Sequence, residues 1–122
     1  MADAYVKLLD EVLRQSAPVL KSTADIDVRH FFSGAAAYAD GRIFMSLTPA
    51  GLAVKVSEDD RAALAELGAQ PLQYFPKAPI KKDYLVLPDT IAKDQTALAN
   101  WIDKSVAYVL TLPKPRPKSG GR

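Results

Sequence analysis

The chain has 122 residues, no cysteine, one histidine, and sixteen Lys+Arg against fourteen Asp+Glu. That length fits one domain with a sizeable core. The missing cysteines exclude disulfides, thiolate nucleophiles, zinc fingers and iron–sulfur clusters, and one histidine excludes multi-histidine metal sites. From the N-terminus, Val6, Leu9 and Leu13 recur at helical spacing, with Ala17 and Leu20 continuing the stripe, which predicts a helix from Asp3 to Leu20. Its charges at Asp3, Lys7, Asp10 and Glu11 are unlike a secretory signal, so the expected location is cytoplasmic. Ser22 to Asp27 reads as a polar connection.

A meander of three strands is expected next. Asp40-Gly41 between apolar runs is a two-residue hairpin turn, because a type I′ turn needs positive φ at both positions. It predicts the pairs Ala39–Arg42, Tyr38–Ile43, Ala37–Phe44 and Ala36–Met45. A loop at Thr48-Pro49-Ala50-Gly51 predicts Leu47–Leu52, Met45–Val54, Phe44–Lys55 and Ile43–Val56. On that register Tyr38, Ile43, Met45, Leu47, Leu52, Val54 and Val56 share the core face. The other face carries Ala35, Ala37, Ala39, Arg42, Phe44, Ser46, Ala53 and Lys55. Phe44 among small neighbours suggests a surface made to be covered, and the expectation is a homodimer with Phe44 near its centre and Arg42, Lys55 and Ala37 around it.

Ser57 followed by Glu58, Asp59 and Asp60 marks a helix start, and Gly68 its stop. Strands are predicted at Leu72–Phe75 and Tyr84–Leu87, the second ended by Pro88. A last helix runs from Asp94 to Leu110, with Leu98, Trp101, Ile102, Ser105 and Val109 inward. The order α-β-β-β-α-β-β-α predicts an α+β fold with a mainly antiparallel sheet packed by the N- and C-terminal helices. Residues 113–122, PKPRPKSGGR, read as a disordered basic tail. Without it, residues 1–112 carry a net charge of −2.

The search for chemistry yields no catalytic, cofactor or metal residues. There is no GxGxxG or P-loop pattern. Asp25-x-Asp27 lacks the glycine and distal glutamate of a calcium loop. His30 near Ser33 has no nucleophile elbow around it. Lys77, Lys81 and Lys82, beside Tyr74, Phe75 and Tyr84, together with Lys114, Arg116, Lys118 and Arg122 of the tail, are the candidate nucleic-acid contacts. The longest uncharged stretch, Ile43 to Val54, has twelve residues, against about 20 apolar residues for a membrane-spanning helix.

Arg29-His30-Phe31-Phe32-Ser33-Gly34, then Tyr38, Asp40-Gly41-Arg42 and Phe44, resembles the opening signature of the TfoX N-terminal domain family. The resemblance continues through Leu52-Ala53-Val54-Lys55-Val56, Gly68-Ala69, Tyr74, Tyr84, Leu87-Pro88-Asp89 and Trp101, covering about residues 8–110. Ser33 stands where the family typically has a first glycine. The resemblance implies a self-associating α+β domain like the type III secretion chaperones. The best-known members regulate bacterial competence together with a transcription activator and carry a second, C-terminal domain. This chain would then be a stand-alone N-terminal domain. The resulting expectation is a non-enzymatic regulatory or protein-interaction module of 1–112 with an unidentified protein partner. The alternative is weak nucleic-acid binding through the tail and the Lys77–Lys82 loop.

Overall fold

A computed structural model describes residues 2–16, 25–31, 34–73, 77 and 80–112. The elements are α1 (Ala2–Ser16), β1 (Ile26–Phe31), β2 (Gly34–Ala39), β3 (Arg42–Thr48), β4 (Gly51–Lys55), α2 (Glu58–Glu66), β5 (Gln70–Leu72), β6 (Lys81–Val86), α3 (Asp89–Ala92) and α4 (Gln95–Leu110). The six strands form one antiparallel sheet in the order β1-β2-β3-β4-β6-β5. The fold is α+β, with terminal helices and a middle helix, as the sequence predicts. The predicted extension of the first helix through residues 17–20 lies outside the described residues.

Local chemistry sets most element ends. Asp40 and Gly41 both take positive φ, 49° and 84°, as a type I′ turn requires. The Ser57 hydroxyl accepts from the Asp60 amide at 3.2 Å, satisfying a free donor at the start of α2. Three acidic residues in that first turn meet the positive helix end. The helix closes in a Schellman motif: the Gly68 amide donates to the Ala65 carbonyl, and the Ala69 amide to the Leu64 carbonyl. Gly68 has φ 104° there, and Leu64 and Ala69 are both buried in the core. The Asp94 carboxylate caps α4 by accepting from the Ala97 amide at 3.1 Å.

Two strand expectations need correction. Ile26 and Asp27, expected in a polar connection, begin β1, a six-residue strand paired along its whole length with β2. Ile26 and Val28, on the helix side, are only half-buried, as befits a sheet edge with no further strand beside it among the described residues, while Asp27, Arg29 and His30 are exposed. β5 lies at 70–72 rather than 72–75, and 74–76 lie outside the described residues. In the sheet β6 lies between β4 and β5.

The third correction concerns the faces. The hairpin begins as predicted, with Ala39 opposite Arg42 and Tyr38 opposite Ile43. A register shift then places Ala37 opposite Met45, Ala36 opposite Ser46 and Ala35 opposite Leu47. Phe44 is the extra residue of a β-bulge. Such an insertion reverses the side-chain parity on one side of it. The second hairpin keeps its predicted register, with Met45–Val54, Ser46–Ala53 and Leu47–Leu52. Met45, Leu47, Leu52, Val54 and Val56 therefore do face the helices, but they share that face with Ala35, Ala37, Ala39 and Phe44. Tyr38 and Ile43 lie on the opposite face. Phe44 and Ala37 are 0% exposed, packed in one cluster with Leu9 and Leu13 of α1 and Ile102, Val106 and Val109 of α4. A self-association surface centred on Phe44 is thus unavailable: core packing already covers it.

The alanine run of β2 now has a role. Ala35, Ala37 and Ala39 turn towards the helix layer, where small side chains let α1 approach the sheet closely. Ser105 closes the layer from α4. Its hydroxyl lies 2.8 Å from the Phe44 carbonyl and 2.6 Å from the Lys55 carbonyl, and its single proton is shared between these two acceptors at the bulge. Gly34 is fixed by sterics, since a Cβ there would collide with the Leu47 carbonyl oxygen.

Candidate functional site

The sheet face turned away from α1 and α4 carries a row with one residue from each strand: Arg29, Ala36, Ser46, Ala53, Val86 and Gln70. Its middle is small and fully buried, with Ala36, Ser46 and Ala53 at 0% exposure. Among the described residues the Ser46 hydroxyl has no hydrogen-bond partner. The neighbouring row holds Asp27, Tyr38 and Ile43 at one end and Lys55 opposite Tyr84 at the other. Cations stack on both aromatics, the Arg29 guanidinium 5.1 Å from the Tyr38 ring centre and the Lys55 ammonium 5.8 Å from that of Tyr84. Arg29 Nε also donates to Asp27 Oδ2 at 2.5 Å.

A serine becomes a nucleophile when a base takes its proton. His30 pairs with Ala35, so it stands on the sheet face opposite Ser46. Among the described residues no group of three His, Asp or Glu side chains could hold a metal. The Asp27 carboxylate pairs with Arg29, and the Asp40 carboxylate accepts from the Asp25 amide. Glu58, Asp59 and Asp60 form the first turn of α2. Arg14 is held above its ordinary pKa by its hydrogen bond to Asp10, then by the charges of Glu11 and Asp10. That pair lies on the exposed side of α1 and marks no site.

A cleft of about 330 Å³ opens between Val12 and Gln15 of α1, Ala92 and Lys93 at α3, and Gln95 and Leu98 of α4. Gln95 spans it, donating to the Gln15 carbonyl at 2.5 Å. Its lining has no convergent set of charged groups, and Lys93 is turned to Asp89 at 3.6 Å.

The residues singled out in the sequence do not form one site. Phe44 and Ala37 are core. Arg42 is half-buried, with Nε donating to the Leu112 carbonyl at 3.0 Å, so it ties β3 to the end of α4. Lys55 belongs to the opposite sheet face. Lys77 is exposed, and Lys81 and Lys82 begin β6 rather than sitting in a loop. Lys114, Arg116, Lys118 and Arg122 lie outside the described residues, as do Ser33, Tyr74 and Phe75. Two features escaped the sequence reading. The Arg29–Tyr38 contact depends on β1, whose polar alternation hid it. The buried Ser46 hydroxyl stood on the correctly expected face, but nothing in the sequence marked it as unpartnered.

The family model of the TfoX N-terminal domain matches residues 19–108, which is most of the folded chain. The chain belongs to the TfoX N-terminal domain family. This domain is associated with competence regulator proteins. A comparison with curated proteins returned no match. Several described residues of the TfoX signature serve the fold: Gly34 permits close strand approach, Asp40-Gly41 makes the turn, Phe44 fills the core and Trp101 is buried on α4.

Proposed function

We propose that this TfoX N-terminal domain is a regulatory protein-interaction module that acts by binding a protein partner and performs no chemical step. The observation that carries the reading is the family match over 19–108. The disposition of polar groups agrees with it. Cations and aromatics are paired on one sheet face, while the buried hydroxyl of Ser46 and the imidazole of His30 stand on opposite faces. Residues 1–112 carry a net charge of −2, which repels rather than attracts a phosphate backbone. The protein works in the cytoplasm on this reading; among the described residues no helix is long and apolar enough to cross a membrane.

Deleting the gene in the native cell and profiling transcripts tests the proposal. The expected result is a coherent change in a limited gene set, restored by the wild-type gene. An unchanged transcript profile, under conditions where the protein is expressed, would contradict a regulatory role.

A further inference from the structure

The two edges of the sheet differ. The β5 edge has three residues and contains Pro71, which lacks an N–H and resists strand addition. The β1 edge has six residues, no proline and no bulge. Among the described residues β1 pairs with β2 alone. The Asp40 amide donates to the Asp25 carbonyl at 2.9 Å, which fixes the parity of the ladder. With an unshifted register, Asp27 and Arg29 point their backbone groups at β2, while Ile26 and Val28 point theirs outward.

We propose that this edge pairs with the same edge of a second copy of the chain, antiparallel about a two-fold axis at Val28, joining two sheets into one. The occupant follows from charge complementarity. With Val28 opposite its own copy, Asp27 faces the second copy's Arg29, and Arg29 faces its Asp27. Both ion pairs fall at non-hydrogen-bonded positions, where facing side chains are closest. Val28 itself forms the central hydrogen-bonded pair through its outward N–H and C=O. A slip of two residues sets Asp27 against Asp27 or Arg29 against Arg29, and a slip of one turns unlike faces together. A single register is therefore favoured, and a two-fold axis makes the interface self-complementary. In the single chain Asp27 and Arg29 pair with each other at 2.5 Å and are 52% and 64% exposed, so both are within reach of a partner. This inference relocates the expected self-association from Phe44 to the sheet edge and does not rest on the regulatory reading.

Light scattering across a concentration series, with charge variants, tests it on the full chain. Wild type is expected to reach twice the monomer mass as concentration rises. Asp27→Arg alone places two arginines against two, and Arg29→Asp alone places two aspartates against two, so each variant is expected to remain monomeric. Mixing the two variants restores complementarity and should restore the dimer. Both positions are exposed, and circular dichroism checks that each variant is folded. Hydrogen exchange gives a readout on wild type alone: the Val28 amide should gain protection with concentration, whereas amides already bonded to β2 should not change. A monomeric wild type at the highest soluble concentration, a dimer that survives both single substitutions, or a Val28 amide indifferent to dimerisation would each overturn the proposal.

Discussion

Phe44 and Ser105 show how a single inserted residue organises the core. The bulge turns Phe44 under α4 and takes it out of the strand ladder, and the Ser105 hydroxyl meets its carbonyl. Removing that hydroxyl leaves buried acceptors at Phe44 and Lys55 without a side-chain donor. Ser105→Ala is expected to cost about 1–3 kcal/mol in urea unfolding, the range for an unsatisfied buried polar group. Phe44→Ala should cost about 3–5 kcal/mol by opening a core cavity. Phe44→Glu should abolish the cooperative transition, since it buries a charge in an apolar cluster. A folded Phe44→Glu protein, changed only in its oligomeric state, would contradict the core placement.

At the scale of elements, the ends are set by residues that can be replaced one at a time. Gly68→Ala forces a Cβ into φ 104° and should cost about 1 kcal/mol. Asp94→Ala removes the cap of α4 and should cost about 0.5–2 kcal/mol. Thermal and urea unfolding of both variants checks these values. Such ends were legible in the sequence because a cap or a turn involves neighbours along the chain: Asp40-Gly41, Ser57, Gly68 and Asp94 all have their predicted roles. The helical stripes were legible too, since burial repeats with the turn. The bulge was not. Its signal is one residue long, and an unbroken alternation fits the same letters, so the two hairpins gave a consistent register that placed Phe44 on the wrong face. β1 was hidden because an edge strand needs few apolar residues, and IDVRHF has enough polar positions to pass for a connection. The insertion of β6 between β4 and β5 depends on contacts between distant segments, which no local pattern encodes. The four-residue α3 is too short for periodicity to detect.

The whole molecule combines a sheet, a helix layer on one side and a basic stretch past the last helix. Arg42 reaches the Leu112 carbonyl, so the fold's recorded contacts extend to that residue. Residues 113–122 have no apolar periodicity. Truncation after Leu112 is expected to leave the melting temperature within a few degrees, while a drop of ten or more, roughly two kcal/mol for a domain of this size, would show that the tail docks. The candidate sites were less legible than the fold for a physical reason: strand register decides which side chains share a sheet face, and the bulge altered that register. On the proposed function the folded domain meets proteins rather than nucleic acid. Fluorescence anisotropy with mixed-sequence duplex and single-stranded DNA at physiological salt, on the full chain and on the chain cut after Leu112, tests this most directly. The expected result is dissociation constants of about 10⁻⁴–10⁻⁶ M or weaker for the full chain, with affinity falling steeply as salt rises, and no measurable binding after truncation. Nanomolar affinity that survives the truncation would contradict it.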